Sequence, residues 1–164
     1  MHKSITLFFL LLMLSSFGQQ KDILEKYLFD KILIKASAAA TVGDTAKQNL
    51  YYNYFFKSNP PDSLKCWAYY DQAVYSYEYT DKSIDYSISL LLKGLHYSKN
   101  QPNNQALCLY GLAHYYAAKN DLEKAMHYLT KFKDVLNSGK LTQYNSLMQK
   151  NGGYSIYMVL GDSK

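Results

Sequence analysis

From Lys21 onward, apolar residues recur every three or four positions and are broken by short polar turns, the period of helices with one buried face. The first predicted helix runs from Lys21 to Ala40, with Ile23, Leu24, Tyr27, Leu28, Leu33 and Ile34 as its apolar residues. Gly43-Asp44 stops it, and Asp44 or Thr45 caps a second helix, Thr45 to Lys57. Ser58-Asn59-Pro60-Pro61 is a break. The third helix follows from Pro61 to Tyr79, because proline is tolerated in a first turn, where its missing N–H would have no partner. Asp81 is the expected cap of a fourth helix, to Ser98. Asn100 to Asn104, with Pro102, is expected to be loop. A fifth helix is expected over Gln105 to Lys119, and Asp121 caps a sixth, to Leu136. Turns this short join antiparallel neighbours, so the chain is expected to be all-α: helical hairpins at 21–57, 61–98 and 105–136.

The chain also matches itself when shifted by 42 residues. Trp67 then meets Leu109, Tyr70 meets Leu112, Val74 meets Tyr116, Ile84 meets Met126, Tyr86 meets Tyr128 and Leu90 meets Phe132. Strict identities are few, and the agreement lies in size and burial class. The third hairpin has a large residue, an aliphatic, a small residue and an aromatic at Leu109, Leu112, Ala113 and Tyr116. A small residue and two bulky ones follow at Ala125, Leu129 and Phe132. This pattern resembles the tetratricopeptide repeat family. The second hairpin matches at Trp67, Tyr70, Val74, Ser83 and Leu90, but carries Asp71 where a small residue belongs and Ser87 where a bulky one belongs. The first hairpin has the helices without the motif.

The resemblance implies hairpins stacked as a superhelix, with the first helix of each pair lining a concave face. Carried onto this sequence, the ligand-contacting positions of that face are Lys65, Gln72, Tyr75, Tyr110 and His114, a set both aromatic and polar with a weak positive bias. The repeat-packing positions are Trp67, Tyr70, Leu109, Leu112, Ala113, Tyr116, Ala125, Leu129 and Phe132. Residues 141–164 look like an incomplete further repeat. Tyr154 to Leu160 is readable as the end of another first helix or, from its β-favouring residues, as a strand.

The N-terminus changes the setting. Lys3, the apolar run Ile5 to Leu14 and the small residues of Ser16-Phe17-Gly18 form a secretory signal, residues 1–18, with cleavage expected after Gly18 or Gln19. The remaining domain, 19–164, has no apolar stretch approaching the roughly 20 residues that span a bilayer. An exported chain, periplasmic or secreted, of bacterial type follows. Net charge is +5 without a basic run, which with export excludes nucleic acid as the expected partner.

Tyrosine is the compositional outlier, at 18 residues. Its apolar body and polar tip suit half-buried helix faces and binding surfaces alike. Cys66 and Cys108 stand at equivalent repeat positions; a separation near helix spacing, roughly 10 Å, predicts two free, buried thiols and no disulfide. His96, His114 and His127 fall on different helices without metal-ligand spacing, and no nucleophile motif, phosphate loop or carboxylate pair stands out. No metal, cofactor or enzymatic activity is therefore expected. The expected function is a non-catalytic scaffold for a protein or peptide. The alternatives are the sensory region of a longer bacterial signalling protein, a histidine kinase or transcription regulator, and a glycan-binding or transport accessory protein.

Overall fold

The computed structural model describes residues 28–80 and 82–141. The signal segment, the start of the first hairpin, Asp81 and the expected further repeat from 142 onward lie outside the described residues. Those residues form six helices and no strand: α1 (28–41), α2 (Thr45–Lys57), α3 (Asp62–Tyr79), α4 (Ile84–Tyr97), α5 (Pro102–Ala118) and α6 (Leu122–Asn137). Each helix packs on its chain neighbour. The α3–α4 and α5–α6 contacts are the most extensive, α4 lies on α5, and α3 touches α5. The protein is all-α, built of stacked helical hairpins.

Local chemistry explains most boundaries. Asp44 and Asp121 cap α2 and α6 by accepting from the backbone N–H three residues on, Lys47 and Lys124. The turns are closed by residues in the left-handed conformation: Gly43 and Gly139, but also Asn59, Asn100 and Asn120 at φ of 51°, 64° and 62°. Asparagine tolerates this region better than other side chains that carry a Cβ. Two boundaries differ from expectation. Helix α4 begins at Ile84, and Ser83 is the cap, its hydroxyl accepting from Tyr86 N. Helix α5 begins at Pro102, inside the expected loop. Pro102 costs nothing in a first turn, and Asn104 is held by donating to the Gln101 side chain and to the Ser63 carbonyl of α3.

The core is a series of clusters, one per interface. Leu33, Ala36, Tyr52, Phe55 and Ala68 join the first hairpin to α3. Ala73, Ile88, Leu91, Leu112 and Tyr115 join α3, α4 and α5. Ala106, Leu109, Ala113, Leu129, Phe132 and Leu141 close the third hairpin. Of the expected packing positions, Leu109, Leu112, Ala113, Ala125, Leu129 and Phe132 are all buried. Tyr70 and Tyr116 are half-buried. Trp67 is the correction: it is 45% exposed, because it shares a stripe of α3 with Asp71 and Tyr75 that faces α1, which leaves a groove there. Ser87, the misfit at a bulky position, is fully buried and donates to the Ala73 carbonyl across the α3–α4 crossing.

Helices α3, α4 and α5 meet at Gly94. A Cβ there would lie 2.9 Å from Cys108 Sγ and 3.3 Å from the Cys66 carbonyl oxygen. The space it leaves is filled by sulfur. Cys66 and Cys108 are free and buried, as expected, and their sulfurs touch at 3.5 Å. Hydrogen bonding to Cys66, then burial, pushes the Cys108 thiol well up. Gly111 is a milder case: its Cβ would crowd the movable tips of Leu91, at 2.9 and 3.2 Å, and meet the Tyr70 ring at an ordinary 3.6 Å. Gly94→Ala is therefore expected to destabilise by about 1–2 kcal/mol, overpacking outweighing the gain in helix propensity, while Gly111→Ala stays within about 1 kcal/mol of the parent. Urea unfolding of the two variants checks this.

Candidate partner-binding face

Helical geometry divides α3 into stripes. Trp67, Asp71 and Tyr75 follow each other at four-residue steps and share one side. Tyr70, Val74 and Tyr77 form the next stripe, and Lys65 and Gln72, seven residues apart, form a third. The first two stripes each border a groove between successive first helices. The α1–α3 groove, about 560 Å³, is lined by Asp30, Leu33, Ile34, Trp67, Asp71 and Tyr75 among others. The α3–α5 groove, about 200 Å³, is lined by Tyr70, Glu78, Tyr110, His114 and Tyr115 among others. One wall, α3, thus serves both, and Trp67 reaches across it to Tyr70, ring centroids 5.9 Å apart.

The five expected contact positions separate accordingly. Tyr75 lines the first groove, Tyr110 and His114 the second. Lys65 is not with them. It lies in another cavity, beside the α2–α3 turn, where its ammonium pairs with Asp62 at 3.2 Å and sits 5.2 Å from the Tyr97 ring centroid. Gln72 is buried, 6% exposed, and donates to the Tyr86 hydroxyl of α4 at 3.4 Å. Both were misplaced for one reason: the third stripe turns away from the grooves and toward the neighbouring helices. Among the described residues no lysine lines either groove, and the charge of their lining is opposite to the weak positive bias expected of this face. Its ionisable groups are Asp30, Asp71 and Glu78 with His114 and the tyrosines.

Asp71 is the residue whose role the sequence disguised. It marked an imperfect repeat, yet it ties the first hairpin to the second. Tyr52 of α2 donates to its Oδ2 at 2.7 Å and Ser37 of α1 at 2.8 Å. Burial raises the Asp71 carboxyl above the ordinary carboxylate value, and the two hydroxyl donors oppose that rise without cancelling it. Burial, then the nearby Asp71, pushes the Tyr52 hydroxyl far up, so Tyr52 stays a donor. In the second groove, burial pushes Tyr70 up to about 12 and lowers His114, which Glu78 partly offsets. His114 Nδ1 is buried and makes no hydrogen bond among the described residues. Tyr110 stacks on His114 at 6.4 Å.

Several other tyrosines, half-buried, pack between neighbouring helices. Phe56, Tyr69 and Tyr97 form a ladder from α2 through α3 to α4, at 4.2 and 5.8 Å. Tyr116 and Tyr128 stack almost parallel across the third hairpin, at 5.5 Å and 4°. Lysines lie over these rings: Lys65 over Tyr97, Lys93 over Tyr69, Lys124 over Tyr116. Among the described residues no three potential ligands gather to hold a metal ion, and no helix is long and apolar enough to cross a membrane. No family model, curated protein or solved structure matches the chain.

Because Asp71 binds its proton more tightly folded than unfolded, its contribution favours the fold at low pH. That contribution is lost as pH rises from the unfolded value, near 3.8, through the raised folded value. Asp71→Asn keeps an acceptor for both hydroxyls without the charge. The variant is expected to be more stable than the parent near pH 7, with the difference shrinking toward zero below about pH 4. Thermal unfolding of both across that range decides it, and a difference that grows toward acid would refute the assignment.

Proposed function

We propose that this chain is an exported, non-catalytic repeat scaffold, of the tetratricopeptide kind its motif resembles, that holds an extended segment of a partner protein on its first-helix face. The observation that carries the reading is the pair of grooves flanking α3, both walled by aromatic side chains. Aromatic walls supply large contact area at low entropic cost. Trp67 is 45% and Ile34 67% exposed beside the first groove, apolar surface that a soluble partner-free face has little reason to carry. His114 lines the second groove beside Tyr110 and adds a polar ring edge to its aromatic wall. Export is supported by the pattern of Lys3, Ile5–Leu14 and Gly18.

The row of exposed Trp67, half-buried Tyr75 and exposed Tyr79, the last two stacked at 5.6 Å, favours a second reading, stacking of sugar rings by a glycan-binding accessory protein.

Trp67 is the chain's single tryptophan and sits in the first groove, so its emission reports occupancy there. Titration with extended peptides is expected to shift that emission. Tyr75→Ala, in the Trp67 groove, is expected to weaken that peptide response about fivefold or more. Tyr110→Ala is expected to weaken binding by a similar factor when read by calorimetry, which also sees the second groove. Both losses correspond to about 1–2 kcal/mol, with little change in melting temperature for Tyr75→Ala. A response to oligosaccharides and to no peptide would replace the peptide reading with the glycan one.

A further inference from the structure

We infer that the α1–α3 groove is a receptor for one cationic side chain, a lysine or arginine presented by the extended partner segment. The inference rests on the peptide-binding reading above and names what that peptide must carry. Three observations converge on it.

The first is charge. Asp71 lines this groove from α3 and Asp30 from α1, with Glu78 in the adjoining groove, and no lysine stands among the described residues that line either. The protein as a whole carries +5 and has no arginine, so an acidic, lysine-free lining runs against its composition. The second is the state of Asp71. Both hydroxyls donate to Oδ2, and Oδ1 accepts no hydrogen bond among the described residues. A carboxylate mostly withdrawn from water is ordinarily paired with a cation. Here one of its oxygens is fixed in place by Ser37 and Tyr52, and no salt bridge to it occurs among the described residues. The third is the chemistry of the walls. Leu33, Ile34 and Ala38 offer alkyl surface, and Trp67 and Tyr75 offer ring faces. A lysine or arginine is an apolar stem with a charged head; alkyl and aromatic walls take the stem, and ring faces with a carboxylate take the head.

The groove's volume, about 560 Å³, falls within the range of ligand clefts, roughly 300–1,000 Å³. The row from Trp67 to Tyr79 spans about 18 Å of helix, which an extended segment covers in five or six residues. The partner is thus a short extended stretch with at least one basic side chain seated against Asp71. An acidic segment would set like charges against Asp30 and Asp71.

The test uses calorimetry and Trp67 emission on the full chain with three eight-residue peptides. They differ at one central position: lysine, norleucine with the same stem and no charge, or glutamate. The lysine peptide is expected to bind at least tenfold more tightly than the norleucine peptide and to shift Trp67 emission. Asp71→Asn is expected to reduce that preference to within threefold. Asp30→Asn, an exposed change that cannot disturb the core, is expected to reduce it two- to fourfold, and keeps the test decisive if Asp71→Asn fails to fold. Norleucine or glutamate peptides binding as tightly as lysine would overturn the cation site while leaving a peptide-binding groove. No peptide binding at all would overturn both readings. Spermidine binding as tightly as the lysine peptide would replace the polypeptide occupant with a small organic cation.

Discussion

Everything in the second and third hairpins depends on how closely three backbones approach at Gly94. A close-packed interior has no spare volume, so the missing side chain of one residue sets the distance among α3, α4 and α5. The Cys108 sulfur of α5 and the Cys66 carbonyl of α3 close over Gly94, and the two cysteine sulfurs touch beside them. The relative placement of α3 and α5 follows, and with it the width of the groove between them. Gly111 acts on the same groove from its floor, where its bare Cα lies over Leu91. The grooved face is therefore an outcome of packing on its reverse side.

The first hairpin is joined differently. It meets α3 through Tyr52, Phe55 and Ala68, and through the hydroxyls that Ser37 and Tyr52 present to Asp71. A polar tie of this kind fixes direction more than it adds stability, since burying a carboxylate costs energy that its hydrogen bonds only partly return. The benefit is an oriented charge at the bottom of a cleft. A small residue at position 71 would leave the Ser37 and Tyr52 hydroxyls without this acceptor.

Much of this was legible in the sequence. Periodicity and turn residues located all six helices, because an amphipathic helix must keep one face apolar and its ends must be capped. The third hairpin's packing residues were legible for the same reason: small residues are required where helices cross. What was not legible came from context. Pro102 opens α5 rather than breaking it, since a proline's effect depends on its place in the helix. Asp71 looked like a flaw because its partners lie 19 and 34 residues away. Trp67 and Gln72 exchanged their expected burial because a repeat motif fixes which residue should be large, but the gap between α1 and α3 decides which face stays wet. The sign of the binding face was misjudged through Lys65, whose stripe points at Tyr97 instead.

Neither groove belongs to a hairpin; each exists only between two. A stack of hairpins therefore has one fewer groove than it has units, and each groove takes its chemistry from two different repeats. Duplicating a unit would add a groove, and changing one helix would alter the two grooves it borders. Because α3 walls both grooves here, a residue drawn into one side of that helix is felt by an occupant on the other. A row of such clefts would present an occupant with a string of neighbouring positions, their number set by the count of hairpins.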